Sequence, residues 1–239
     1  MSFNRDIQLD PNRVQTRSGG GRGAVIGGGS ILTVIAVVLI SQLTGVDLTS
    51  LLGTQQQTGT TTSTASSIDT SVCTSGDSAN KYTQCRMVAT AESLDAVWTD
   101  QLPAQAGLKY AKPEFVLWDG TQISSACGNA SSAVGPFYCS GDRTVYLDMS
   151  FFSEMERSLG AADTPLAEEY IVAHEFGHHI QHLTGQMAKA DRSGSGATSD
   201  SVRLELQADC YAGIWVNHAS STPDPDTGKP FLNRPSSEE

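Results

Sequence analysis

The chain predicts an α+β domain. Apolar residues recur at helical spacing over residues 81–101, 164–185 and 199–214, and two short strand-like segments, 137–140 and 144–147, flank the turn Gly141-Asp142-Arg143. The mixture of helices with a small sheet fixes the class.

Each element has a local reason. In the first helix Val88, Leu94, Val97 and Trp98 share one face, so Trp98 reads as a core residue. A short strand follows at 113–118, then the hairpin, then a helical segment opening with Phe151 and Phe152. Thr164 suits an N-cap, Pro165 the first helical position, Glu168 and Glu169 the positive end of the dipole, and Gly185 a stop. Between them Leu166, Tyr170, Ile171, Ala173, Phe176, Gly177 and Ile180 form an apolar stripe. Ser199 or Ser201 can cap the last helix, which carries Val202, Leu206, Ala208, Gly213 and Ile214.

The chemistry is concentrated on these last two helices. Residues 174–178 read His-Glu-Phe-Gly-His, and histidines at i and i+4 project from one helix face, where two imidazoles can hold one divalent ion. A catalytic zinc takes three protein ligands and keeps one position for water, so a third donor is required. Glu205 is the candidate, 27 positions beyond His178, with Asp209 one turn further on the same face. Asp209 then accepts a hydrogen bond from the free nitrogen of a ligand histidine, foremost His174; Asp209 as the ligand itself is the alternative. Glu175, left unligated, is placed to take a proton from a zinc-polarised water. This is the equipment of a metallopeptidase. His179 reads as a surface or outer-layer residue, His182 as a helix-end cation and His218 as surface. The metzincin extension needs Gly at 181 and His at 184, where this chain has Gln181 and Thr184.

The residues 172–179, Val-Ala-His-Glu-Phe-Gly-His-His, with 201–210, Ser-Val-Arg-Leu-Glu-Leu-Gln-Ala-Asp-Cys, resemble the bacterial neutral zinc metallopeptidases, a membrane-anchored family of the gluzincin group. The likeness extends to 124–128, 135–139 and 145–148, and covers about residues 73–220. It implies a zincin-like domain with an active-site helix and a small antiparallel sheet, zinc as cofactor, and peptide or protein as substrate. In that fold an edge strand before the active-site helix pairs with extended substrate; the hairpin reads equally as a small sheet closed by a disulfide. Family members extend further at the C-terminus, with a downstream His-Gly stretch. This chain offers only Tyr211 or His218 after Glu205 as a partner for a developing oxyanion.

Five cysteines leave one over after two pairs. Neighbours in sequence favour Cys73 with Cys85 and Cys127 with Cys139, which leaves Cys210 either a buried thiol or a residue whose partner lies in a missing tail. Disulfides require an oxidising compartment.

Residues 24–43 are 20 uncharged positions rich in Val, Ile and Leu, long enough to cross a bilayer. Arg5, Arg13, Arg17 and Arg22 precede them and no Lys or Arg follows until Lys81, which predicts a single-pass anchor with a cytoplasmic N-terminus and an extracytoplasmic domain. A cleaved signal peptide is the alternative. The expected organisation is a tail at 1–23, the anchor at 24–43, a Ser/Thr-rich linker at 44–74, the catalytic domain at 75–220 and a polar tail at 221–239.

Net charge narrows the partners. From Thr54 onward 11 Lys or Arg stand against 23 Asp or Glu, which argues against nucleic acid, and no glycine-rich phosphate loop is present. Two functions remain: a membrane-anchored zinc peptidase with Glu175 as general base, or an inactive zinc-stabilised binding or scaffold module in which the ion only ties two helices together. Oligomeric state is open.

Overall fold

The first residues of the chain belong to the fold. The computed structural model describes residues 2–19, 68–159, 164–191 and 193–233. Phe3, Ile7, Leu9 and Val14 are buried in the same core as the long helices. Asp10 caps a single 3-10 turn, Pro11–Arg13, by accepting from the Asn12 N–H at 2.9 Å. Strand β1, Gln15–Gly19, follows it.

The chain returns through Cys73, bonded to Cys85, and Ser75 caps helix α1, Gly76–Lys81. A Cβ on Gly76 would lie 1.8 Å from the Asn4 carbonyl oxygen, so only glycine lets the N-terminal segment seat here. Helix α2, Thr83–Ala106, is the central element; it buries Val88, Leu94, Val97 and Trp98 as its spacing predicts, and ends at left-handed Gly107.

Then come β2, Glu114–Gly120, the hairpin β3, Gln122–Ser125, with β4, Gly128–Ser131, and the pair β5, Phe137–Cys139, with β6, Thr144–Asp148. Helices α3, Phe151–Leu159, α4, Pro165–Leu183, the short α5, Gln186–Lys189, and α6, Asp200–Ala219, complete the order.

The main sheet has the order β1-β2-β6-β5. The expected antiparallel hairpin is present as β5 with β6, but the main sheet as a whole is mixed rather than antiparallel, since β1 with β2 and β2 with β6 are parallel. A parallel neighbour needs a long crossover, and the segment holding the β3–β4 hairpin supplies it between β2 and β6. One face of the sheet, with Phe115, Leu117, Val145 and Leu147, packs on the helices. On the other face Val116, Trp118 and Tyr146 pack with Ile123 and Ala130 of the hairpin. Burial on both faces explains the unbroken apolar run 115–118. The Cys127–Cys139 disulfide ties the hairpin to β5.

The domain boundaries differ from those read in the sequence at both ends. Residues 2–19 are a strand and strap of the domain rather than a separate tail, because Phe3, Ile7, Leu9 and Val14 supply core volume and β1 is hydrogen-bonded in register to β2. A strand so paired lies on the same side of any membrane as its sheet. The segment 221–233 also folds back: Phe231 and Leu232 are buried, and the Asn4 N–H donates to the Phe231 carbonyl at 2.8 Å. The apolar stretch 24–43 and most of the linker lie outside the described residues. Among the described residues no helix is long and apolar enough to cross a membrane.

Candidate metal centre

Helix α4 starts where its sequence signals place it. The Thr164 side chain accepts the Ala167 N–H at 3.3 Å and Pro165 is the first residue. On α6 the cap is Ser199, which accepts from Val202, whereas Ser201 lies buried inside the first turn. The two helices cross at Gly177: a Cβ there would stand 2.8 Å from the Ala208 carbonyl oxygen and 3.0 Å from its Cα. This close approach brings the α6 carboxylates against the α4 histidines.

One ligand atom each from His174, His178 and Glu205 lie within 4.8 Å of one another. The Glu205 Oε2 is 3.2 Å from His174 Nε2 and 3.5 Å from His178 Nε2. Its other oxygen is buried with no hydrogen-bond partner. A buried carboxylate with Oε2 facing two imidazole nitrogens and its other oxygen unpartnered matches the donor set zinc takes.

The outer nitrogens of both rings are engaged. His174 Nδ1 donates to Asp209 Oδ1 at 2.8 Å, and the Tyr170 hydroxyl donates to the same oxygen at 2.7 Å. His178 Nδ1 donates to Gln181 Oε1 at 2.9 Å, while the Gln181 amide donates to the Leu204 carbonyl at 2.6 Å. Gln181 thus bridges the two helices and holds its oxygen toward His178. Both Nε2 atoms are left facing the centre.

Burial alone would lower the two histidine pKa values, but bonds to carboxylates outweigh it. His174, bonded to Asp209 and Glu205, is raised to about 10, and His178 is raised by Glu205 and Glu175. Burial would raise Glu205, yet the two histidines hold it down at about 2. Glu175 is 8% exposed and burial pushes its pKa up, opposed chiefly by the neighbouring His178 and His174.

The remaining candidates separate clearly. His179 is fully buried rather than at the surface: its Nε2 meets the Ala111 carbonyl at 2.6 Å, its Nδ1 meets the Tyr138 hydroxyl at 3.0 Å, and burial lowers its pKa to about 4. His182 is half-buried in the last turn of α4, its ring 6.1 Å from that of Tyr138. Tyr211 turns its ring edge onto Trp98 at 5.5 Å, and His218 lies half-buried in the last turn of α6. Cys210 is a free thiol and exposed, not buried. The sequence signals did not single out Gln181, Tyr170 or Tyr138. The first two were within reach, since Tyr170 lies one turn before His174 and Gln181 three residues after His178.

Fold and site together define an α+β protein with three candidate metal donors borne on two helices and a buried glutamate beside them. The chain belongs to the family described as "Putative neutral zinc metallopeptidase", whose model matches residues 6–226, and that description implies zinc. It is similar to the uncharacterized protein Rv2575 of Mycobacterium tuberculosis, 45% identical over 192 residues, 80% of this chain and 63% of that protein. It is also similar to the uncharacterized protein YpfJ of Escherichia coli K12, 39% identical over 193 residues, 79% and 62% of the two chains. The match thus spans under two thirds of the length of these relatives. No solved structure matches the chain.

Proposed function

We propose that this protein is an extracytoplasmic zinc metallopeptidase in which His174, His178 and Glu205 hold the ion and Glu175 is the general base. The observation that carries the reading is the convergence of three donors, with Glu175 on the same helix turn. Three donors are the count of an open site, whereas a structural zinc is closed by four, and no further donor joins the cluster among the described residues.

Zinc bound there supplies Lewis-acid polarisation of a carbonyl and acidifies a water. The chain's own residues do the rest. Glu175, unligated and with its pKa raised by burial, accepts the water proton and passes it to the leaving amine. Asp209 and Gln181 fix the ring orientation of the two histidines. Among the described residues strand β5 is an edge of the main sheet, beside α4, so its outward main-chain groups can pair with an extended peptide with little sequence preference.

Location is part of the proposal. The two disulfides support an oxidising compartment.

The test is Glu175→Gln, assayed on a broad peptide library with metal content measured. We expect one zinc per chain in both proteins and a loss of turnover of about 100-fold or more in the variant. Unchanged turnover with zinc retained would remove Glu175 from its role, and a wild type that binds zinc but cleaves nothing would favour the scaffold reading.

A further inference from the structure

We infer that the Cys127–Cys139 disulfide is a redox-operated clasp: a dithiol reductant opens it at Cys127 while Cys73–Cys85 stays closed, and opening frees the β3–β4 hairpin from the face of the main sheet that it covers. The consequence for substrate rests on the reading of β5 given above.

Little else holds the hairpin in place. Strands β3 and β4 form a two-stranded sheet of their own, and a lone hairpin is marginal in water. Its side-chain hydrogen bonds stay within the tip: the Ser124 hydroxyl donates to Asn129 Oδ1 at 2.8 Å and the Ser125 hydroxyl to the Gly128 carbonyl at 2.9 Å. Among the described residues one hydrogen bond joins the hairpin to the main sheet, from the Ala126 N–H to Asp142 Oδ2 at 3.0 Å. The apolar cover is thin as well, with Ile123 and Ala130 lying over Val116, Trp118 and Tyr146. The disulfide is the strongest tie.

Its two ends differ in access. Cys127 sits in the two-residue tip between β3 and β4 and is exposed, whereas Cys139, the last residue of β5, is fully buried. Cys73 and Cys85 are both fully buried. An incoming thiolate therefore attacks the Cys127 sulfur, forming a mixed disulfide there and expelling the Cys139 thiolate, which takes up a proton. The second thiol of the reductant then displaces Cys127, so two cysteine thiols form while the dithiol becomes a disulfide. Exposed disulfides are the labile ones.

Opening acts on β5. That strand has three residues, is paired to β6 along one side, and is fixed at its last residue to the hairpin. Without the clasp its end loses the tie on the hairpin face, and the edge offered to an extended peptide is less ordered. Trp118 is uncovered at the same time.

The experiment titrates the full-length protein with dithiothreitol, alkylates the thiols and maps them by mass spectrometry, with exposed Cys210 as the standard for complete labelling. Cys127 and Cys139 should open at a dithiothreitol concentration at least about tenfold below that needed for Cys73 and Cys85. Amide hydrogen exchange over 121–131 should then rise about tenfold or more while α4 and α6 keep their protection. The emission of Trp118, identified by its loss in Trp118→Phe, should shift to the red. Because dithiothreitol also chelates zinc, Cys127→Ser without reductant is the second arm; the change lies at an exposed tip, and the variant should reproduce both signals. For peptide cleavage, KM should rise about threefold or more with kcat within about twofold, the pattern of lost uniform binding. Simultaneous opening of both pairs, or opening with no change over 121–131 and at Trp118, overturns the clasp. If the hairpin loosens and KM stays put, the link to the β5 edge is overturned. If the hairpin loosens and wild type cleaves no peptide, the clasp stands and the peptidase reading falls.

Discussion

His174 carries a charge that an ion must displace. Its bonds to Asp209 and Glu205 outweigh burial and raise its pKa to about 10, while the histidines hold Glu205 near 2, so at neutral pH the metal-free site is an imidazolium against a carboxylate. In that state the raised pKa contributes stability that is complete below the ordinary histidine value of about 6.5 and is lost as pH rises through about 10. Binding needs the Nε2 lone pair, so zinc must release that proton. We expect zinc affinity to rise about tenfold per pH unit between pH 6 and 9 if one proton leaves per ion. Calorimetric titration in buffers of different ionisation heat reads the proton directly; a pH-independent affinity with no proton transfer would contradict the assignment. At this scale the sequence was informative where spacing is local. His174, Glu175 and His178 sit on one turn, and Glu205 with Asp209 on another, so helical periodicity alone sets their faces. Tyr138 and His179 are 41 residues apart and meet only because β5 lies beside α4.

The pairing of α4 with α6 makes two half-sites into one. Their contact is set by Gly177 against Ala208, with no room for a methyl group. Gly177→Ala should push the helices apart by a few tenths of an ångström or more and destabilise the fold by about 1–3 kcal/mol through overpacking. Because Glu205 lies three residues before Ala208 on α6, zinc affinity should fall further than that of a control such as Gly213→Ala, where a Cβ meets nothing within 4 Å. Chelator competition on both variants makes the comparison, and equal affinities would show that the crossing distance does not set the site. The helices were legible because caps and apolar spacing are encoded within each segment. The sheet was not: β1 reads Gln-Thr-Arg-Ser-Gly, a polar sequence whose pairing with β2 is made by the backbone, and strand direction depends on a crossover that no local pattern records.

Taken as one molecule, the chain is closed by its own N-terminus. Arg13 grips the buried Asp95 through Nε at 2.6 Å and a second nitrogen at 3.2 Å, and Tyr110 donates to the same carboxylate at 2.9 Å. The Arg13 guanidinium also lies 5.8 Å from the centroid of the Phe176 ring on the metal-bearing helix. With Phe3, Ile7, Leu9 and Val14 in the core, each worth about 1.5–3 kcal/mol on burial, the segment 2–19 contributes on the scale of a whole domain's stability. The segment therefore lies on the same side of any membrane as the sheet it joins, and Arg13 is committed to an interior ion pair. Two thiols make this measurable in intact cells with a membrane-impermeant maleimide. Cys210 is free and exposed on α6, and Arg5 has a side chain 80% exposed, so Arg5→Cys in a Cys210→Ser background marks the N-terminal segment. Both thiols should react from the outside, or both only after lysis. Labelling of one from outside and of the other only after lysis would place a membrane between β1 and β2 and break the sheet described here.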